Sequence, residues 1–146
     1  MTITSEAVYK RGQIHIQERE KLRVFKQGLG EGEVVYLTFS DEQPHSGGAL
    51  RYWHKLRDRY ADEMGYDREF AKSELKLRFG EYRRAEDVLG DPPDADGRFV
   101  EMYGQLYWLK SLRDYTKAEL HTLTERTKAA CFENDIDIQD LVAEYE

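Results

Sequence analysis

Apolar residues recur at Ala49, Trp53, Leu56, Tyr60 and Met64, spaced i, i+4, i+7, i+11 and i+15. That spacing lays one continuous stripe along an amphipathic helix and predicts a helix from about Ala49 to Met64. Gly65 fits the position just past the helix end, where a left-handed backbone is easiest. Asp67 then caps a second helix, with Phe70, Ala71, Leu75 and Phe79 facing inward and Gly80 ending it. Upstream, Ala7 to Gln17 alternates around Arg11-Gly12 and reads as a small hairpin, with Ile14 and Ile16 on one face. Glu18 to Leu29 reads as a short helix on Leu22, Phe25 and Leu29, stopped by Gly30 and Gly32. Glu33 to Ser40 is the clearest strand by its β-branched and aromatic content, and Pro44 with Gly47-Gly48 follows as a loop.

In the second half, Arg98 to Leu109 reads as a hairpin about a Gly104-Gln105 turn of type II′. Thr116 and Glu119 have the spacing of a capping box, and a helix to about Phe132 follows. Its inner face is Leu120, Leu123, Thr127, Ala130 and Cys131, and Asn134 and Asp135 end it. A short terminal helix rests on Leu141, Val142 and Tyr145. Between these parts, Ala85 to Gly97 is expected as an exposed acidic loop carrying Pro92 and Pro93. The expected architecture is α+β: a small antiparallel or mixed sheet packed against three to four helices, in a single domain over residues 1–146.

Composition adds limits. The chain has one cysteine, Cys131, so no internal disulfide framework forms. No apolar run approaches the ~18 residues of a membrane span. The stretch MTITSEAVYKRG lacks the apolar core of a signal peptide, so a cytoplasmic protein is expected. The net charge of −7 argues against simple non-specific nucleic-acid binding. The charge is uneven, however. Ala49 to Arg84 holds 10 basic and 7 acidic residues, whereas Ala85 to Glu146 holds 6 basic and 15 acidic ones. The central helices are mildly basic and the C-terminal part is strongly acidic.

Arg51, Lys55 and Arg59 follow i, i+4, i+8 on the outer side of the first long helix, with Tyr52 beside them. Arg68, Lys72 and Lys76 repeat the pattern on the second. Two such rows side by side form a groove that contacts phosphates while Tyr52 stacks a base. Against this stands a solvated face whose charges pair with Asp58, Asp62 and Glu63. His15, His45, His54 and His121 show no metal-ligand spacing, and Cys131 has no companion thiol. No nucleophile elbow or phosphate-binding glycine loop is present. Neither an enzyme, a metal nor another cofactor is expected.

The stretch HSGGALRYW, followed by a helix, a glycine and a second helix, is joined much later by KSLRDYTKAELHTLTERTKAACFENDIDI. This ordering resembles the NinB (Orf-like) phage recombination proteins. The match rests on Ser46, Arg51, Tyr52, Trp53, Lys110, Ser111, Thr116, Glu119 and Leu120. His45 replaces an arginine of the family pattern, and Ala49 and Leu50 stand where it has glutamine and asparagine. The resemblance implies a small homodimeric mediator in the host cytoplasm. Such a mediator binds single-stranded DNA, contacts single-strand-binding protein and assists a recombinase, without catalysis. Lys110 then joins Arg51, Tyr52, Lys55, Arg59, Arg68, Lys72 and Lys76 as a candidate nucleic-acid contact. The rival is an acidic protein-binding module or inhibitor that docks on a basic partner, motivated by the acidic C-terminal part.

Overall fold

A computed structural model describes residues 2–39 and 45–146. Among them the chain forms six α-helices, one 3₁₀ turn and two antiparallel sheets, an α+β fold. The sequence reads as one domain over 1–146; in the structure the residues gather into two compact units, Met1–Phe39 and Ser40–Glu146.

The first unit is a hairpin and a helix. Strands β1 (Ala7–Lys10) and β2 (Gln13–Ile16) pair with Lys10 opposite Gln13. Arg11 and Gly12 between them both take positive φ, at 54° and 75°. Positive φ at both central residues is the signature of a type I′ turn, whose twist matches that of the strands. Helix α1 (Arg19–Gln27) buries none of its residues. The strand expected at Glu33 to Ser40 is corrected: residues 33–39 have no regular structure, and Ser40 lies outside the described residues. Tyr36 is 91% exposed and Leu37 77%. A strand needs a ladder as well as propensity, and in this unit β1 and β2 pair only with each other.

The second unit is built around α2 (Gly47–Met64), which meets α5 (Lys117–Glu133), α3 (Arg68–Phe79) and α6 (Gln139–Tyr145). The start of α2 falls earlier than the apolar stripe predicts. The Ala49 amide donates to Ser46 Oγ at 3.0 Å, so Ser46 is the cap and Gly47-Gly48 form the first turn rather than a loop. Pro44 lies outside the described residues. Gly65 closes the helix at φ 72°, and the Asp67 carboxylate accepts from the Glu69 and Phe70 amides to open α3. Trp53, Leu56 and Tyr60 are buried as the stripe requires, and Ala71 and Leu75 meet Trp53 and Tyr60 from α3. Phe70 departs from the expected inward set. It is 42% exposed and packs edge-on against Tyr66.

Helix α5 completes the core with Leu120, Leu123, Ala130 and Cys131. Buried polar groups here are satisfied in series: Trp53 Nε1 donates to Thr127 Oγ1 at 3.0 Å, and Thr127 Oγ1 donates to the Leu123 carbonyl at 2.7 Å. The capping box forms as expected, with Glu119 N donating to Thr116 Oγ1 and Thr116 N to Glu119 Oε1.

The sheet runs β3 (Tyr82–Arg84), β5 (Gln105–Lys110), β4 (Gly97–Met102). The turn expected at Gly104-Gln105 is corrected by one residue. Met102 pairs with Gln105, so the turn is Tyr103-Gly104, with φ 52° and 75°, again the I′ signature rather than II′. Gly97 lies so close to Trp108 that a Cβ there would overlap the indole. Within the expected acidic loop, Ala85–Gly90 forms a short helix α4 with no buried residue, and Gly97 already belongs to β4.

Candidate nucleic-acid interface

The i, i+4, i+8 row on α2 is divided by what its members touch. Arg51 and Lys55 are exposed and join no ion pair among the described residues. Arg59 is committed elsewhere. Its guanidinium grips Asp140 with two bonds, at 2.8 and 3.0 Å, and donates to the Asp137 carbonyl at 2.6 Å. The hydrogen bonds to Arg59 hold the Asp140 carboxyl below its usual range. Arg59 thus ties α2 to α6, and its expected phosphate contact is corrected to a structural one.

Tyr52 is corrected in the same way. Its ring is buried and stacks on Tyr145 with centroids 4.9 Å apart and planes 9° off parallel. Its hydroxyl donates to the Glu146 carboxylate, whose other oxygen accepts from Lys128 Nζ at 2.9 Å. Burial, then the Glu146 carboxylate, push the phenol well above its ordinary pKa. The ring that would stack a base is already stacked on the terminal helix.

On α3 the second row also divides. Arg68 lies 3.2 Å from Asp62 and 3.4 Å from Asp58, so local carboxylates neutralise it. Lys72 is half-buried and joins no ion pair among the described residues. Lys76 is only 3% exposed. Its ammonium has no hydrogen bond and no ion pair among the described residues, and burial, followed by repulsion from Lys72 and Arg98, brings its pKa down to about 8. Arg98 reaches this place from β4: its guanidinium donates to Ser73 Oγ at 3.2 Å and stands 3.6 Å from Glu69. His54 adjoins from α2, and its Nδ1 is buried without a partner. Burial, then Arg57 and Lys72, lower the His54 pKa. No local sequence signal marks Arg98, because only the antiparallel pairing of β4 with β5 carries it to α3.

Lys110 is mostly buried. It bonds Glu119 Oε1 at 2.8 Å and lies 5.9 Å from the centre of the Tyr115 ring. Burial pushes the Glu119 carboxyl up, but the bonds from Lys110 and Thr116 outweigh this and hold it below its ordinary value. The expected phosphate contact at Lys110 is therefore corrected: the ammonium completes the cap of α5. The two sequence segments that carry the family resemblance do meet here, since His45 Nε2 lies 3.0 Å from the Leu112 carbonyl and donates to it in the tautomer protonated there.

Other chemistry is thin. Among the described residues no group of three or more His, Cys, Asp or Glu is placed to hold a metal ion. Cys131 is buried, and burial raises its thiol to about 11, which keeps it protonated at neutral pH. A cleft of about 730 Å³ opens beside the starts of α2 and α5, with Ala49, Tyr52, Leu120 and Thr124 along it and His121 and Glu146 among its polar groups. No helix among the described residues is long and apolar enough to cross a membrane. Compared with known proteins, the chain matches no family model, no curated protein and no solved structure.

Proposed function

We propose that this chain is a phage-type recombination accessory protein that binds single-stranded DNA, without catalysis. The observation that carries this reading is the set of cations left over after internal pairing. Acidic residues outnumber basic ones 29 to 22. Even so, Arg51 and Lys55 on α2 and Lys72 on α3 have no carboxylate partner among the described residues. In an acid-rich chain, unpaired cations on two adjoining helices are available to phosphates. Of the residues first expected at the interface, Arg51, Lys55, Lys72 and Lys76 stay in it, and Arg98 joins them. The sequence resemblance adds a homodimer and contact with single-strand-binding protein or a recombinase.

Fluorescence anisotropy of a labelled oligothymidine tests this across a salt series. Arg51→Glu with Lys55→Glu is expected to weaken binding and to flatten the log–log salt slope by about 1.4, the value for two lost single-strand phosphate contacts. Unchanged affinity and slope would sink the assignment.

The distribution of acids supports a second reading, a module that docks on a basic protein. After Arg84 the acidic residues exceed the basic ones by 15 to 6. Asp91 is 86% exposed in its side chain and Glu86 75%. Recovery of a basic protein that survives nuclease treatment, together with no oligonucleotide binding, favours this second reading.

A further inference from the structure

An ammonium group taken out of water is costly unless a negative charge or several acceptors replace the hydration shell. Lysines in globular proteins usually avoid that cost by letting the head reach solvent while the stem packs. Lys76 keeps only 3% of its surface in contact with water, and its ammonium has neither a hydrogen bond nor an ion pair among the described residues. Its charged neighbours make the position worse. Lys72 sits one turn earlier on α3 and Arg98 faces it from β4, with Glu69 as the single carboxylate acting on it. Glu69 itself stands 3.6 Å from Arg98 and is 66% exposed, so it is a surface counter-charge that a stronger anion can displace.

Two further polar side chains adjoin it, Arg98 and His54. Arg98 is held toward α3 by its bond to Ser73 Oγ, which fixes one edge of the guanidinium and leaves its other N–H groups for a ligand. His54 contributes a buried ring nitrogen that bonds nothing. The junction therefore concentrates the cationic donors Lys72, Lys76 and Arg98, with the exposed Glu69 carboxylate beside them. Such an unsatisfied cluster matches a tetrahedral oxyanion, whose oxygens accept from lysine and arginine together.

We propose that the α2–α3–β4 junction is a phosphate-binding site, with Lys76 as its floor, Lys72 and Arg98 as its walls and His54 at its edge. The ligand is a phosphate group, either free or carried in a polynucleotide backbone. The proposal deepens the DNA reading, which already counts Lys72, Lys76 and Arg98 at the interface, whereas Arg51 and Lys55 take no part in it.

Lysine labelled with ¹³C at Cε allows the Lys76 ammonium to be titrated by NMR in the full chain. Inorganic phosphate and, separately, oligothymidine serve as probes. Saturable binding that moves the Lys76 pKa up from about 8 toward the ordinary 10.5 supports the site. A rise with inorganic phosphate identifies a free anion as sufficient, and a rise only with oligothymidine identifies the backbone as the source. Arg98→Gln, on a side chain 54% exposed, keeps the fold and is expected to weaken phosphate binding about tenfold or more. No response of Lys76 to either probe overturns the proposal, as does undiminished phosphate binding in Lys76→Met. Loss of oligothymidine binding in Arg51→Glu/Lys55→Glu with the phosphate response intact separates this site from the DNA reading.

Discussion

At the start of α5 and at the junction of α3 with β4, the chain takes a lysine ammonium largely out of water, and it treats the two differently. Lys110 meets Glu119 at 2.8 Å, and the same carboxylate oxygen accepts from the Thr116 amide. Charge, cap and helix start are satisfied together. Lys76 meets no acceptor among the described residues and faces two further cations. The first lysine is part of what holds the fold together, whereas the second weakens the fold where it sits. A buried charge is therefore informative only when read with its partners: the satisfied one explains stability, and the unsatisfied one points to a ligand.

Glu119→Ala tests the satisfied side and has the largest expected effect. It removes the carboxylate half of the capping box and leaves Lys110 without its partner, so urea unfolding should show a loss of about 3 kcal/mol. A loss near 1 kcal/mol, the worth of the single bond from the Thr116 amide, would mean that Lys110 recovers water and that the contrast is false.

Lys76→Met tests the other side and should have the opposite sign. The pKa of Lys76 is lower in the folded chain, about 8 against 10.5. Below pH 8 both states carry the proton and the full cost of burying the charge is present. Between 8 and 10.5 the unfolded chain holds the extra proton, so the native state gains stability as pH rises. Lys76→Met should accordingly stabilise the protein at neutral pH by up to about 3 kcal/mol, an advantage that shrinks toward zero by about pH 10.5. An advantage that does not change with pH would show that packing, not charge, is responsible.

Arg59→Ala is expected to give the smallest change. The pair with Asp140 lies near the surface, so its loss should be small and should shrink further as salt is added. Salt-independent unfolding in this variant would instead assign Arg59 a packing role against α6.

The sequence made some of this contrast legible. The period of Trp53, Leu56 and Tyr60, the glycine at 65 and the Thr116–Glu119 spacing are local signals, and each is realised in place. The fates of the basic residues are not local. Arg59 finds Asp140 81 positions away, and Tyr52 finds Glu146 94 positions away. Lys76 follows the same i, i+4 rhythm as Lys72, and no neighbour in sequence announces its burial, which follows from the packing of the folded unit. The sequence points to a turn at Gly104-Gln105, one residue beyond the observed Tyr103-Gly104, for a related reason: glycine suits either turn type, and only the strand register decides between them. Strand propensity at Glu33 to Phe39 likewise could not supply the missing ladder.

Both tryptophans, Trp53 and Trp108, belong to the unit Ser40–Glu146. Intrinsic indole emission therefore monitors that unit. A denaturation curve followed by fluorescence and one followed by far-ultraviolet circular dichroism will coincide only if the hairpin and α1 melt together with the rest.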